Sequence, residues 1–109
     1  MEPTVRSVAA RSRRCARQLC RAYARVLGAP VDGDGLETVR PYLARGMRAA
    51  WGLSRGNLLR SALNRVLITH VQLAHVPVGT MQRAEARAQL AEAVRDLEAI
   101  AARPALTGA

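Results

Sequence analysis

Hydrophobic and small residues recur every three or four positions through the first quarter of the chain, between residues 5 and 27. This spacing places them on one face of an α-helix, which completes a turn every 3.6 residues. The face consists of Val5, Val8, Ala9, Ser12, Cys15, Ala16, Leu19, Cys20, Tyr23, Val26 and Leu27. Gly28 and Pro30 follow, and both are typical of a helix end. The pattern therefore predicts a first amphipathic helix over residues 5–27.

A second helix is predicted over residues 38–51. Thr38 as N-cap places Pro41 in the first turn, where its missing N–H removes no intrahelical hydrogen bond. Asp34 and Glu37 offer an alternative capping box, which would put Pro41 inside the helix. The buried stripe expected for this helix is Val39, Leu43, Met47, Ala50 and Trp51.

Two further helices are predicted in the second half of the chain. Gly52 interrupts the pattern, and Ser54 is the expected N-cap of a third helix over residues 54–76. Its expected core face is Leu58, Leu59, Ala62, Leu63, Val66, Leu67, Val71 and Ala74. Thr80 is the expected cap of a fourth helix over residues 80–102. Its expected core face is Ala86, Leu90, Ala93, Val94, Leu97 and Ala101.

Composition supports an all-α fold class. Ala, Leu and Arg dominate the chain, Phe is absent, and Trp and Tyr together number three. This mixture favours helices on propensity and provides few of the β-branched and aromatic residues that strands prefer. A chain of 109 residues can bury one modest core. We therefore expect a single small four-helix domain over residues 1–109.

The net charge of +9 adds a functional expectation. Every one of the 17 basic residues is Arg, against eight acids. A GC-rich genome would also produce this all-Arg usage, but the guanidinium group is the side chain that grips phosphate bidentately. Residues 1–30 hold seven Arg and one Glu, and residues 40–76 hold six Arg and no acid. An excess of this size predicts an anionic partner.

The polar face of the first helix carries the clearest cationic pattern, without an acid in it. Like charges four residues apart repel by a few tenths of a kcal/mol per pair, so a partner of opposite charge is expected. Phosphate backbone, an anionic membrane surface and an organelle presequence all fit, and so does a face that only confers solubility. The candidate phosphate-binding residues of this helix are Arg13, Arg14, Arg17, Arg21 and Arg25.

The stretch "GLSRGNLL", residues 52–59, resembles the turn and the recognition-helix start of a helix-turn-helix protein. The candidate groove and phosphate contacts that it implies are Ser54, Arg55, Asn57, Arg60, Asn64 and Arg65. Arg48 departs from the pattern, because a small residue usually stands four positions before the turn glycine. A plain corner between two helices of a bundle explains the same residues.

Catalytic and metal-binding chemistry is not expected. Cys15 and Cys20 lie about 140° apart on a helix, too splayed to form a disulfide, so both are expected to be reduced. His70 and His75 are five residues apart and do not share a helix face, so no metal site is predicted. No Walker, dinucleotide or nucleophile-elbow motif is present, no cofactor is implied, and no apolar run is long enough to span a membrane.

These observations predict a non-catalytic, regulatory nucleic-acid-binding protein, with DNA a more fitting partner than RNA. The alternative is a helical interaction or scaffold protein that docks on an acidic protein surface or assembles with itself. A homodimer fits either function because the predicted core is small. A cytoplasmic location is expected, associated with the nucleoid if DNA is the partner. Organelle targeting by residues 1–27 stays open.

Overall fold

The computed structural model of the chain describes residues 5–28 and 35–103, with side chains described from residue 8 onward. This part of the chain contains four helices and no strand, so the predicted all-α fold class is confirmed. The helices are α1 (Val5–Leu27), α2 (Leu36–Ala50), α3 (Leu58–Ala74) and α4 (Met81–Ala102).

Each helix packs antiparallel against the next one in the chain, and α4 packs back on α1, so the four helices form a bundle. Two contacts show the direction of α1 relative to its neighbours. A Cβ built on Gly52, just after α2, would lie 2.8 Å from Cγ1 of Val8 near the start of α1. The guanidinium of Arg87, early in α4, donates to the carbonyl oxygen of Leu27 at the end of α1 over 2.9 Å. Helices α1 and α3 consequently lie on a diagonal of the bundle.

Helices α1 and α4 match their predictions closely because their apolar periodicity is regular. Every residue of the predicted α4 core face is buried, and Thr80 caps the helix through an Oγ1 that accepts the N–H of Arg83 over 3.1 Å. On α1 the fully buried side chains include Leu19 and Tyr23. Cys15 is only partly buried. The predicted core residue Val5 lies outside the described side chains.

Helix α2 begins two residues earlier than predicted. Gly35 precedes it in the left-handed conformation, at φ 60°, which glycine adopts without steric cost. Thr38 is therefore not the N-cap, and its Oγ1 donates to the carbonyl of Gly35 over 2.6 Å. Pro41 lies inside the helix rather than in its first turn. Asp34, the cap of the alternative capping box, lies outside the described residues.

The prediction that Trp51 belongs to the core is wrong. Trp51 follows the last residue of α2 and is 74% exposed. Gly46 instead lies in the buried stripe, where a Cβ would come within 3.3 Å of Cδ2 of Leu63. Because Gly46 has no side chain, Leu63 of α3 and Leu19 of α1 approach the backbone of α2 closely. The buried stripe of α2 ends at Ala50.

Helix α3 begins four residues later than predicted, because Asn57 rather than Ser54 is the N-cap. Oδ1 of Asn57 accepts hydrogen bonds from the N–H groups of Leu59 and Arg60, at 2.9 and 3.3 Å. Ser54 lies in the preceding turn, where its carbonyl accepts the N–H of Asn57 over 3.0 Å. Both residue types are good caps. Asn57 takes the role because it immediately precedes the first helical turn.

The buried face of α3 also differs from the predicted one in its second half. Leu59, Leu63 and Val66 are buried as predicted, together with Ala62. The helical period then carries the buried stripe from Val66 to Thr69, His70 and Leu73. The predicted core residues Leu58, Val71 and Ala74 are consequently exposed.

Candidate nucleic-acid interface

Positive charge is concentrated on α1 and α2. These two helices together carry ten Arg and one acid, Glu37. Helices α3 and α4 carry five Arg and four acids, so their charges nearly balance. The antiparallel packing of α1 on α2 brings the two cationic helices side by side. One half of the bundle is therefore strongly basic and the other is close to neutral.

The outer side of α1 carries five of the predicted site residues, which we call the arginine face: Arg13, Arg14, Arg17, Arg21 and Arg25. Arg13 is partly buried and the other four are exposed. They lie outward because Leu19 and Tyr23, on the opposite side of the helix, are fully buried. Within residues 5–28 and 35–103, none of these five guanidinium groups makes an ion pair or a hydrogen bond. Their charge is therefore available to a partner.

A cleft of about 420 Å³, which we call the α1–α2 cleft, extends the arginine face onto the neighbouring helix. It is lined by Arg11, Cys15, Arg45, Arg48 and Ala49. Arg45 also stands over the ring of Tyr42, with 5.6 Å between the guanidinium carbon and the ring centroid. The sequence alone does not predict a shared role for Arg11, Arg45 and Arg48, because their proximity depends on how α1 packs against α2.

A second cleft, the Trp51 cleft, lies where α2 meets the start of α3. It measures about 220 Å³ and is lined by Met47, Ala50, Trp51, Arg55, Arg60, Ser61 and Asn64. The structure thus brings together three of the predicted site residues, Arg55, Arg60 and Asn64. Trp51, a predicted core residue, lies among them.

Arg60 is held in place by contacts within the protein. Its Nη1 donates to the carbonyl oxygen of Leu53 over 2.7 Å, and its guanidinium carbon lies 5.1 Å from the centroid of the Trp51 ring. Such a cation–π contact contributes about 0.5–1 kcal/mol at an exposed site. Arg60 therefore orients the Trp51 ring. The predicted role of Arg60 was a contact with a phosphate.

The side chains of two other predicted site residues, Arg65 and Asn57, make contacts within the protein. Arg65 forms an ion pair with Asp96 of α4 and lies 3.7 Å from a carboxylate oxygen of Glu92. The side-chain oxygen of Asn57 accepts the two backbone N–H groups at the start of α3, so that oxygen is not available to a base. Ser54 is exposed, in the turn before the helix.

The relative placement of α2 and α3 is that of a bundle rather than of a helix-turn-helix. Residues of decreasing number in α2 lie against residues of increasing number in α3. Arg60 is near Trp51, Leu63 is near Gly46, and the pKa of His70, which burial lowers, is lowered further by the charge of Arg40. The two helices therefore run side by side along their length. A recognition helix would instead cross its partner at a large angle. The bundle corner, the second interpretation of "GLSRGNLL", describes the observed arrangement.

The buried polar groups of the core do not form an accessible site. The thiol of Cys20 donates to the carbonyl of Val94 over 3.8 Å, and burial, with a smaller effect of Glu98, raises its pKa to about 12. The hydroxyl of Ser12 is buried and has no hydrogen-bond partner among the residues that the structure describes. Among the described residues, no three His, Cys, Asp or Glu side chains gather in a metal-binding arrangement. None of the described helices combines the length and the apolar character that crossing a bilayer requires.

Comparison with known proteins returned no match for this chain among protein-family models, curated proteins or solved structures. The described features that bear on function are the arginine face, the α1–α2 cleft and the Trp51 cleft.

Proposed function

We propose that this protein binds nucleic acid, and duplex DNA in particular, as a small non-catalytic protein. The arginine face and the α1–α2 cleft contact the phosphate backbone. The observation that carries this proposal is the ratio of ten Arg to one acid on α1 and α2, together with the absence of described intramolecular partners for the arginine face. A surface that served solubility alone would gain from mixing charges of both signs, because the repulsion between like charges would fall.

The dimensions of the arginine face support a regular, extended polyanion as the partner. From Arg13 to Arg25 the helix rises about 18 Å. Duplex DNA carries roughly ten phosphate charges over that length. Guanidinium groups spaced four residues apart on a rigid helix can meet several of them at once, and each planar group can bind a phosphate through two N–H groups. Duplex DNA is therefore the favoured partner.

The proposed contacts are with the backbone and not with the bases of the duplex. Helix α3 begins at Leu58, so Ser54 and Arg55 lie in the connection before it, and Arg65 is paired with α4. Phosphate contacts position a protein without reading sequence. We therefore expect similar affinities for duplexes of different sequence.

The test is the salt dependence of duplex binding, measured by fluorescence anisotropy between about 50 and 200 mM salt. Six to ten neutralised phosphates would lower the affinity by roughly 10³ to 10⁵ over this range. Arg17→Ala and Arg21→Ala are each expected to reduce the slope of log affinity against log salt by about one. Arg95→Ala removes the same charge from an exposed position on α4, so its slope should equal that of the wild type.

Two results would contradict the proposal. One is an absence of duplex binding at the lowest salt concentration. The other is equal slopes for Arg17→Ala, Arg95→Ala and the wild type, because binding would then not involve the arginine face. Polyglutamate serves as a competitor of the same charge sign. If it displaced the duplex at an equal concentration of charges, the results would favour the alternative of an acidic protein partner.

A further inference from the structure

Trp51 is exposed at a position where the surrounding contacts fix its ring. It is the only Trp of the chain, and it is the most exposed aromatic residue in the part of the protein that the structure describes. One face of the ring lies against the guanidinium of Arg60, which is itself anchored to the carbonyl of Leu53. The ring is therefore held in place while most of its surface stays in contact with solvent. Trp is enriched at interfaces, where its ring provides apolar contact and its N–H a hydrogen-bond donor.

The groups around Trp51 are chemically mixed. Met47 and Ala50 contribute apolar surface to the Trp51 cleft, Ser61 and Asn64 contribute polar groups, and Arg55 contributes a guanidinium. Arg55 is exposed and makes no ion pair or hydrogen bond within the described part of the chain. The volume of about 220 Å³ is below the range of pockets that enclose a drug-sized ligand. The cleft is thus suited to a ligand smaller than a drug molecule, such as a single ring.

We infer that the Trp51 cleft binds an unpaired nucleotide, with its base stacked on the face of the Trp51 ring that Arg60 leaves free and its phosphate on Arg55. This inference rests on the proposed function and identifies a second class of nucleic acid for it: single strands, and duplexes with an unpaired end. Every base has a π face, so stacking on an aromatic ring requires no particular sequence. The amide of Asn64 and the hydroxyl of Ser61 can donate to and accept from base edges. A paired base within a duplex stacks on its neighbours and is not free to bind in this way.

The Trp51 cleft lies next to the cationic half of the bundle. Arg48, which lines the α1–α2 cleft, precedes Trp51 by less than one helical turn. Gly52 follows Trp51 and approaches Val8 near the start of α1. A strand whose phosphates follow the α1–α2 cleft would therefore arrive beside the Trp51 ring. A purely apolar partner would form no ion pairs with the arginines of the α1–α2 cleft.

The fluorescence of the single Trp reports directly on this cleft. The full-length protein is titrated with a short oligothymidine strand, and with a blunt duplex of equal length, at low salt. Stacking of a base on Trp51 should quench and shift its emission with the single strand. The blunt duplex should bind with a much smaller change in emission, because its contacts lie on the arginine face.

Anisotropy of a labelled single strand tests the same site without relying on Trp emission. Trp51→Ala is expected to lower the affinity for the single strand by about 5- to 100-fold, whereas Trp51→Phe should retain most of it. Affinity for the blunt duplex should change by less than about twofold in either variant. Arg55→Ala should weaken single-strand binding, and Arg103→Ala, the same change at the end of α4, should not. Circular dichroism checks that each variant keeps its helical content.

Each outcome separates this inference from the proposed function. Duplex binding that depends on Arg17, without any response of Trp51 to the single strand, would overturn the inference and leave the proposed function standing. If the wild-type protein bound neither the duplex nor the single strand, both the inference and the proposed function would be contradicted. Equal quenching by blunt duplex and single strand would overturn the preference for an unpaired base. Quenching by polyglutamate but not by oligothymidine would assign the cleft to an acidic peptide instead.

Discussion

The hydroxyl of Tyr23 in α1 lies 2.7 Å from Nδ1 of His70 in α3, and this hydrogen bond joins two diagonally placed helices through the core. The two rings also meet edge to face, with 5.9 Å between their centroids. Burial raises the pKa of Tyr23, with a smaller effect of Cys20. Burial also lowers the pKa of His70, and the nearby charge of Arg40 lowers it further. Both groups are therefore neutral in the folded protein at neutral pH.

Acid should weaken the fold through His70. An unfolded His has a pKa of about 6.5, and the pKa of folded His70 lies lower, so the unfolded chain binds more protons between these two values. The free energy of unfolding should therefore fall as the pH drops below about 6.5, and level off below the folded pKa. Urea unfolding between about pH 5 and pH 8 measures this. His70→Gln should abolish most of the decline, whereas His75→Gln, at an exposed site, should keep it. If the free energy of unfolding still declined in His70→Gln, other titratable groups would be the cause.

The close approach of Gly52 to α1 should make this position intolerant of a larger residue. A Cβ at Gly52 would lie 2.8 Å from Cγ1 of Val8, a stiff β-branched side chain. Gly52→Ala is expected to lower the free energy of unfolding by about 1–3 kcal/mol through overpacking. Gly56→Ala is the matched control, because a Cβ there meets nothing within 4 Å and the φ angle is not positive. It should leave stability unchanged or raise it by up to about 1 kcal/mol. Equal losses in both variants would contradict the packing argument.

The N-cap of α3 provides a test that separates Asn57 from Ser54. Asn57→Ala removes the acceptor for two backbone N–H groups and should lower the free energy of unfolding by about 1 kcal/mol. Ser54→Ala should change it by less than about 0.5 kcal/mol, because its exposed side chain caps nothing. Chemical unfolding of both variants gives the comparison. A larger effect at Ser54 would mean that α3 begins earlier than the structure has it.

The two thiols of α1 should differ in reactivity. Cys15 is partly exposed and lines the α1–α2 cleft, whereas Cys20 is buried and its pKa of about 12 leaves almost no thiolate at neutral pH. Iodoacetamide should label only Cys15 in the native protein and both thiols after unfolding.

Bound duplex DNA should slow the labelling of Cys15 if phosphates occupy the α1–α2 cleft. Mass spectrometry of the labelled peptides measures both effects, and an unchanged rate with saturating DNA would place the duplex elsewhere.

The sequence was sufficient to predict the elements whose pattern is regular. The bounds of α1, the cap and core face of α4, and the outward position of the arginine face all follow from the 3.6-residue period. The start of α3 did not follow, because Ser54 and Asn57 are both suitable caps and the pair Leu58–Leu59 permits two registers. The hydrogen bond from the N–H of Asn57 to the carbonyl of Ser54 forms the turn that places the N-cap at Asn57.

The functional surfaces were predictable only where one helix forms them. The α1–α2 cleft combines residues from two helices, and the pairing of Arg65 with Asp96 joins positions 31 residues apart. The helical period places Trp51 at the end of the predicted buried stripe of α2, but its side chain is exposed. Its exposure follows from the end of α2 at Ala50 and from the anchoring of Arg60 on Leu53. Gly52, which directly follows Trp51, is a helix-end signal that indicates an exposed Trp51 as the alternative.

The uneven distribution of charge over the bundle has a consequence for the protein when it is free. Most folded proteins carry surface charges of both signs, and added electrolyte then weakens their attractions. Here the guanidinium groups of α1 and α2 act mainly on one another, so electrolyte should screen a repulsion and raise the free energy of unfolding. Sodium chloride would thus strengthen the fold while weakening the proposed binding to DNA. The free protein and the proposed complex would respond to the ionic strength of their surroundings with opposite signs.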